Sequence, residues 1–253
     1  MRAATALPGN GAGFVLTELL VAGLIAAFLL LGLIQVAAAT SHGLRLVESL
    51  SQTQQGGRFA IDQMRDAVMA AGFRPQPWAD IALAGLSEES IDGGPGGSDV
   101  LVVRQLSDRN CYGNLNSTLD GDGRAAFYIR QSTFERTAGG NLAHTCFYGA
   151  NEGALVRQIN RQGMVSGIES FQVLYAEDTD GDSKADRRVR ADHWNEIEGV
   201  VGVQIGLLLA SEEPVGDRDA SPLTVLDESV MPLSDGRLRR VWTTTFSLGF
   251  KLR

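Results

Sequence analysis

The segment from 178 to 186 holds the strongest candidate chemistry in the sequence, because its nine residues, DTDGDSKAD, include four aspartates. The aspartates stand at positions 1, 3, 5 and 9 of a tight loop, where alternate residues point inward and supply the hard oxygen ligands that Ca²⁺ prefers. The backbone carbonyl at position 7 adds a further oxygen. The pattern therefore predicts one Ca²⁺ bound by Asp178, Asp180, Asp182, Asp186 and the carbonyl of Lys184.

The second half of this loop departs from the EF-hand pattern. Ser183 stands at position 6, where the pattern has glycine, and Val189 stands at position 12, where the pattern has a bidentate glutamate. The alternative interpretation is a solvated turn between two strands. A second acidic segment, Asp120-Gly121-Asp122-Gly123, favours a plain turn more strongly than a cation site.

Glu18 is the other residue whose position suggests a function. It directly precedes Leu19–Ile34, sixteen residues without a polar side chain, and only Gln35 interrupts the continuation to Ala39. About 20 apolar residues are needed to cross a membrane as a helix, and a carboxylate at that depth costs a few kcal/mol. The alternative is a secretory signal peptide cleaved near Ala39, but the core of a signal peptide carries no carboxylate.

The sequence offers no candidate nucleophile or general base for an enzyme. His42, His144 and His193 are far apart and lack metal-ligand spacing, and there is no HExxH, GxSxG or phosphate-binding glycine loop. The 22 basic and 30 acidic residues give a net charge of −8, which argues against direct binding of nucleic acid. We therefore expect a protein that is not an enzyme.

The two cysteines, Cys111 and Cys146, both follow the apolar segment. In an exported domain an even number of cysteines favours a disulfide, which would stabilise the fold by roughly 3–4 kcal/mol through the unfolded chain. The alternative is two buried thiols. Neither cysteine belongs to a CxxC pair, so redox catalysis and a zinc knuckle lack their ligands.

The segment before Pro75 predicts one long helix, because no proline occurs between Pro8 and Pro75. The helix should run from Phe14 to about Ala71. Its second half shows an apolar stripe at helical spacing. The stripe consists of Val47, Leu50, Ile61, Met64, Val68 and Ala71. The stripe lapses over 51–58, which contains two glycines, so a bend or local melting is expected there.

Beyond residue 97 the apolar period changes to two, which indicates strands. The predicted strands are 100–103, 126–129, 171–175, 201–209 and a last strand carrying Leu238, Trp242, Phe246, Leu248, Phe250 and Leu252 on one face. Strands that follow strands predict an antiparallel sheet, and the helix stripe needs a surface to cover. The expected fold class is α+β, with a long N-terminal helix packed on an antiparallel β-sheet.

The N-terminal segment resembles a known processing motif. Residues 13–22, GFVLTELLVA, are similar to the start of type IV prepilins and type II secretion pseudopilins. The resemblance implies cleavage after Gly13, N-methylation of Phe14, and an assembly role for Glu18 as the fifth mature residue. The chain then divides into a leader (1–13), a transmembrane and assembly half-helix (14–40), an amphipathic half-helix (41–72) and an exported head domain (73–253).

A second resemblance lies in the predicted sheet. Residues 171–175 (FQVLY), followed by 178–182 and Ala185-Asp186, are similar to a stretch of the PilW group of minor pilins. This resemblance implies a pilin-like fold and a subunit that helps to initiate type IV pilus assembly at or near the tip, with roles in adhesion, twitching motility and DNA uptake.

The same resemblance implies the partners and the location of the chain. The partners are other minor and major pilins, a pilus-tip adhesin, the prepilin peptidase and the inner-membrane assembly platform. The chain would cross the bacterial inner membrane once before assembly and lie in the periplasm and the surface pilus afterwards. The alternatives are a J-type pseudopilin of type II secretion and a membrane-tethered calcium-binding module.

Overall fold

The first element is one long helix, α1, from Leu16 to Ala70. The computed structural model describes residues 16–72, 85–150, 155–157, 162–216 and 221–248. Gly72 follows the helix with φ +75°, a left-handed conformation that ends helices. The predicted helix is confirmed from residue 16 onward.

The chain forms two compact units, residues 1–47 and residues 48–253. The first unit contains the apolar part of α1, where large side chains such as Leu24 and Phe28 are more than half exposed. The second unit contains the rest of α1 and all the described strands.

The buried face of α1 in the second unit differs from the predicted stripe. Met64, Val68 and Ala71 are buried as expected, whereas Val47 is 64% exposed. The face continues toward the N-terminus through small residues, each three or four positions apart. These are Ser49, Thr53, Gly57 and Ala60. The predicted stripe was based on large apolar residues and therefore did not include this part of the buried face, which consists of small residues.

The two adjacent glycines lie within continuous helix, so the expected local melting is wrong. They allow α1 to approach the strands closely. A Cβ at Gly56 would lie 3.1 Å from Val165 Cγ1, and a Cβ at Gly57 would overlap the indole of Trp242. Their role is close packing against the sheets.

The first sheet is antiparallel and has six strands. They are β1 (Gly85–Leu86), β2 (Val100–Ser107), β3 (Tyr128–Arg136), β4 (Leu142–Gly149), β5 (Val156–Arg157) and β6 (Gln162–Val165). Strands β1 to β5 lie in sequence order, and β6 pairs with β4 as well.

The second sheet is also antiparallel and forms the other part of the core surface. Its strands are β7 (Ile168–Glu177), β8 (Arg187–Val189), β9 (Val200–Pro214) and β12 (Arg237–Ser247), in the order β12-β9-β7-β8. A hairpin of β10 (Leu223–Val225) and β11 (Glu228–Val230) packs on β9, where a Cβ at Gly206 would lie 2.8 Å from Leu226 Cγ. The expected α+β class is confirmed.

One core joins α1 to both sheets. Met64 and Val68 of α1 share a cluster with Phe134 of the first sheet and with Phe171 and Ile205 of the second. All five side chains are buried at 0–1% exposure. Burial of each such side chain contributes roughly 1.5–3 kcal/mol, so the second half of α1 is held to the sheets mainly by apolar contact.

A buried polar junction connects the two sheets. The N–H of Asp99, just before β2, donates to the Phe171 carbonyl at 2.8 Å, and Asp99 Oδ2 accepts from the Val173 N–H at 2.7 Å. Asp99 Oδ1 accepts from the Gly93 N–H at 3.0 Å. Asp99 is 4% exposed, and this burial raises its pKa to about 6 despite both hydrogen bonds.

Candidate functional site

The N-terminal segment of α1 has the composition of a membrane span. Within the described residues, one helix is long and apolar enough to cross a membrane, with a mean hydropathy of 2.7 over its most apolar window. Glu18 lies in the first turn, where the helix dipole favours a negative charge. Gly13 and Phe14 lie outside the described residues, so cleavage between them stays a prediction.

The aspartate loop connects β7 to β8 and is organised around Asp178. This residue is 6% exposed, and its two carboxylate oxygens accept from the N–H groups of Gly181 at 2.6 Å and Ser183 at 2.8 Å. Ser183 adopts φ +70°. This is the left-handed conformation for which the EF-hand pattern uses glycine, so the serine carries backbone strain of about 1 kcal/mol.

Three of the four loop aspartates come together. One oxygen each from Asp178, Asp180 and Asp186 lie within 4.8 Å of one another, close enough for a single cation to bind all three. Asp182 is outside this group. Its Oδ2 pairs with the ammonium of Lys184 at 2.8 Å, and its Oδ1 accepts from the Lys184 N–H at 2.8 Å.

Hydrogen bonds already organise part of this group without a cation. Asp186 accepts from the hydroxyl and the N–H of Thr179, both at 2.7 Å, and these bonds hold the pKa of Asp186 below its usual value. Asp186 is therefore ionised at neutral pH, as a calcium ligand must be.

Glu177 anchors the start of the loop. Burial of this residue, 1% exposed, would raise its pKa. Hydrogen bonds from the Asn195 N–H at 2.7 Å and from Arg187 Nε at 2.8 Å outweigh the burial and lower the pKa. The carboxylate therefore ties β8 and the following loop to the end of β7.

Cys111 and Cys146 form the predicted disulfide. The bond attaches the long β2–β3 connection to β4, beside an aromatic group in which Tyr148 contacts Tyr112 and Tyr128 edge to face. The connection thus presents Tyr112, which is 64% exposed, from a covalently fixed position.

The histidines occupy separate environments in the described structure. His144 stacks on Phe134 with ring centroids 4.6 Å apart, and burial together with the charge of Arg130 lowers its pKa. His193 Nδ1 lies 3.0 Å from the Ala191 carbonyl, while His42 is exposed on α1. Among residues 16–72, 85–150, 155–157, 162–216 and 221–248, none of these histidines belongs to a group of three or more side chains that could hold a metal ion.

Sequence reasoning missed the buried junction at Asp99. The only available signal was an aspartate standing directly before an apolar strand, which is equally typical of a solvated turn. Its partners in the second sheet, the Phe171 carbonyl and the Val173 N–H, lie more than 70 positions later in the chain, so no local pattern indicates the contact.

Comparison with known proteins shows similarity to one family over much of the sheet region. The family model of type IV pilus-assembly protein W matches residues 126–249, from the approach to β3 to the end of β12. No curated protein sequence matches the chain. Among solved structures, a type IV-like pilin from Thermus thermophilus is 18% identical, with a TM-score of 0.43, and the match covers 81% of this chain and 95% of that one.

The family match includes the segment 171–186 that resembles the PilW group. The matched family consists of pilus-assembly proteins and is not an enzyme family. Over residues 126–249 the chain is therefore similar to the PilW family of type IV pilus-assembly proteins, the group that its sequence resembles.

Proposed function

We propose that this chain is a minor pilin that helps to initiate type IV pilus assembly at or near the tip. The observation that carries the proposal is the PilW match over 126–249 in a chain whose N-terminal helix is apolar enough to span a membrane. The apolar helix would hold the subunit in the inner membrane until assembly, and the sheet region would contact other pilins and a tip adhesin.

Glu18 is the proposed assembly residue. A carboxylate at membrane depth requires a partner, and after cleavage the free amine of Phe14 on a neighbouring subunit supplies a cation. Such a dehydrated pair contributes more to the register between subunits than to net stability. Glu18→Ala should therefore leave the sheet region folded and reduce the amount of this chain in filaments.

A deletion strain complemented with wild type or Glu18→Ala tests this proposal. We expect surface filaments, counted after shearing, to return with wild type and to stay few with Glu18→Ala at equal protein level. Glu18→Gln keeps the size and shape of the side chain and removes only its charge, so it should also leave few surface filaments. Normal filament numbers with both variants would contradict the assembly role.

The competing function is a J-type pseudopilin of type II secretion, which shares the same N-terminal motif. The same deletion strain distinguishes the two functions. Loss of secreted folded proteins with unchanged surface filaments would identify the pseudopilin, whereas a pilus subunit predicts the reverse. Adhesion and twitching should be lost together with the filaments, and DNA uptake is scored in the same strains.

The grouped oxygens of Asp178, Asp180 and Asp186 favour an additional role, the binding of one Ca²⁺. Without the glutamate at position 12, affinity should fall in the weak range of extracellular sites, about 10⁻⁴–10⁻³ M. Calcium titration of the full chain should release or absorb heat and raise its melting temperature. Asp180→Asn should abolish both effects, while Asp182→Asn should preserve them because Asp182 faces Lys184. No response at millimolar Ca²⁺ would leave the loop as an acidic turn.

A further inference from the structure

The second sheet carries a hollow on the face opposite α1, which we name the outer hollow. Tyr175, Val203 and Phe246 point into the core that α1 covers, so their neighbours on β7, β9 and β12 point to the other face. The outer hollow has a volume of about 300 Å³. Its lining includes Ala176, Ser183, Arg188, Gly202, Ser247 and Leu248.

Small residues create this hollow. Arg188, Ala176, Gly202 and Ser247 form one row across β8, β7, β9 and β12. The two central positions have a methyl group and no side chain, while Arg188 stands at one end of the row. A Cβ at Gly202 would lie 2.9 Å from the Phe246 carbonyl oxygen and 3.7 Å from the Ala176 Cβ, so a larger side chain has no room there. The missing side chain of Gly202 and the methyl group of Ala176 leave a depression between longer side chains.

Arg188 provides the charge at the rim of the outer hollow. Its side chain is exposed and forms no ion pair or hydrogen bond within the described part of the chain. Two carboxylates close to it in sequence already pair with other cations, Glu177 with Arg187 and Asp182 with Lys184, and Asp186 belongs to the group that it forms with Asp178 and Asp180. A guanidinium beside an apolar floor is complementary to a ligand with a carboxylate and an apolar group.

We infer that the outer hollow binds the C-terminal residue of a partner polypeptide, with its α-carboxylate on Arg188 and its apolar side chain over Ala176 and Gly202. A C-terminal residue carries both groups on one Cα, so they can diverge toward the rim and the floor. A glutamate side chain ends in the carboxylate and places no apolar group beside it. The hydroxyls of Ser183 and Ser247 can donate to the second carboxylate oxygen. This inference stands independently of the proposed assembly role.

The test measures peptide binding to the full chain in lipid nanodiscs. The probe is a fluorescent octapeptide ending in leucine, prepared with a free C-terminal carboxylate or with an amide. We expect the free acid to bind about tenfold more tightly than the amide, as one charge-assisted contact implies. Arg188→Gln should remove this difference, and Arg188→Lys should restore part of it.

Two further variants separate the floor from the charge. Ala176→Leu should fill the floor and weaken the binding of both peptides. Arg240 is an exposed arginine on the opposite face of the same sheet, so Arg240→Gln should leave both affinities unchanged. Equal affinity for acid and amide, or full binding by Arg188→Gln, would overturn the inference. A peptide with an internal glutamate and an amide terminus that binds as tightly as the free acid would also overturn it. Normal filament numbers with both Glu18 variants, which would contradict the assembly role, would leave all these binding results unchanged, so the two proposals fail separately.

Discussion

A methyl group at Gly57 tests the packing of α1 on the second sheet. A Cβ there would lie 2.8 Å from Trp242 Cδ2 and closer still to Cε2 and Nε1. Carbon atoms in contact are normally 3.5–4.0 Å apart, so Gly57→Ala must displace the indole by about 1 Å or push α1 away. Overpacking of this kind costs about 1–3 kcal/mol.

The same substitution also has a favourable effect that must be separated from the clash. Replacing glycine by alanine within a helix stabilises it by about 1 kcal/mol. Gly56→Ala gains the same helix stabilisation. Its Cβ would lie 3.1 Å from Val165 Cγ1 and 3.4 Å from Leu209 Cδ2, and small shifts of these side chains relieve such close contacts. Gly43→Ala meets nothing within 4 Å. The difference between Gly57→Ala and Gly56→Ala therefore isolates the clash.

Thermal unfolding of the full chain in detergent, followed by far-UV circular dichroism, measures that difference. With about 2 kcal/mol for the clash and 2–4 °C per kcal/mol for a unit of this size, Gly57→Ala should melt about 4–8 °C below Gly56→Ala. Gly43→Ala should melt no lower than wild type. Trp242→Phe should recover most of the loss in the Gly57→Ala background, since Trp242 Nε1 has no hydrogen-bond partner to lose. Equal melting of Gly57→Ala and Gly56→Ala would refute the close approach of α1 to Trp242.

Two other predictions concern the disulfide and the buried junction. Replacing both Cys111 and Cys146 by serine should remove about 4 kcal/mol and lower the melting temperature by about 8–16 °C. A reductant should bring wild type to the same value and leave the variant unchanged; an unaffected wild type would contradict a stabilising bond. The pKa of Asp99, raised by burial to about 6, makes the folded state bind a proton more tightly than the unfolded chain does. The contribution of Asp99 protonation to the free energy of unfolding is therefore complete below about pH 4. It amounts to about 3 kcal/mol and is lost as the pH rises through 6. Denaturant unfolding between pH 4 and 7 should show this decline in wild type and not in Asp99→Asn, and parallel profiles would contradict it.

The elements with strong local signals could be predicted from the sequence. The absence of proline between Pro8 and Pro75 indicated α1, and alternation in 201–209 indicated β9, whose inward residues Val203, Ile205, Leu207 and Leu209 are almost fully buried. Strand β4 was missed because LAHTCFYG, residues 142–149, mixes polar and apolar residues on both faces. That strand is specified by its pairing with β3 and β6, which no local pattern encodes.

The candidate site was predicted less completely than the fold. The spacing of the aspartates indicated a tight loop, and the structure shows that Ser183, which departs from the glycine of the EF-hand pattern, adopts the left-handed conformation. It could not show that Asp182 turns toward Lys184, because that pairing depends on the conformation of the loop and not on the order of its residues. The outer hollow was also missed, since its row comes from four strands far apart in sequence.

Mass spectrometry of filaments sheared from the cell surface tests the central claim most directly. If this chain is a pilus subunit, it is present in the purified filaments at low abundance. Its N-terminal peptide should then begin at Phe14, carry one methyl group on the α-amine and retain Glu18 as its fifth residue. Absence of the chain from the filaments, or a mature N-terminus near Thr40, would contradict the account.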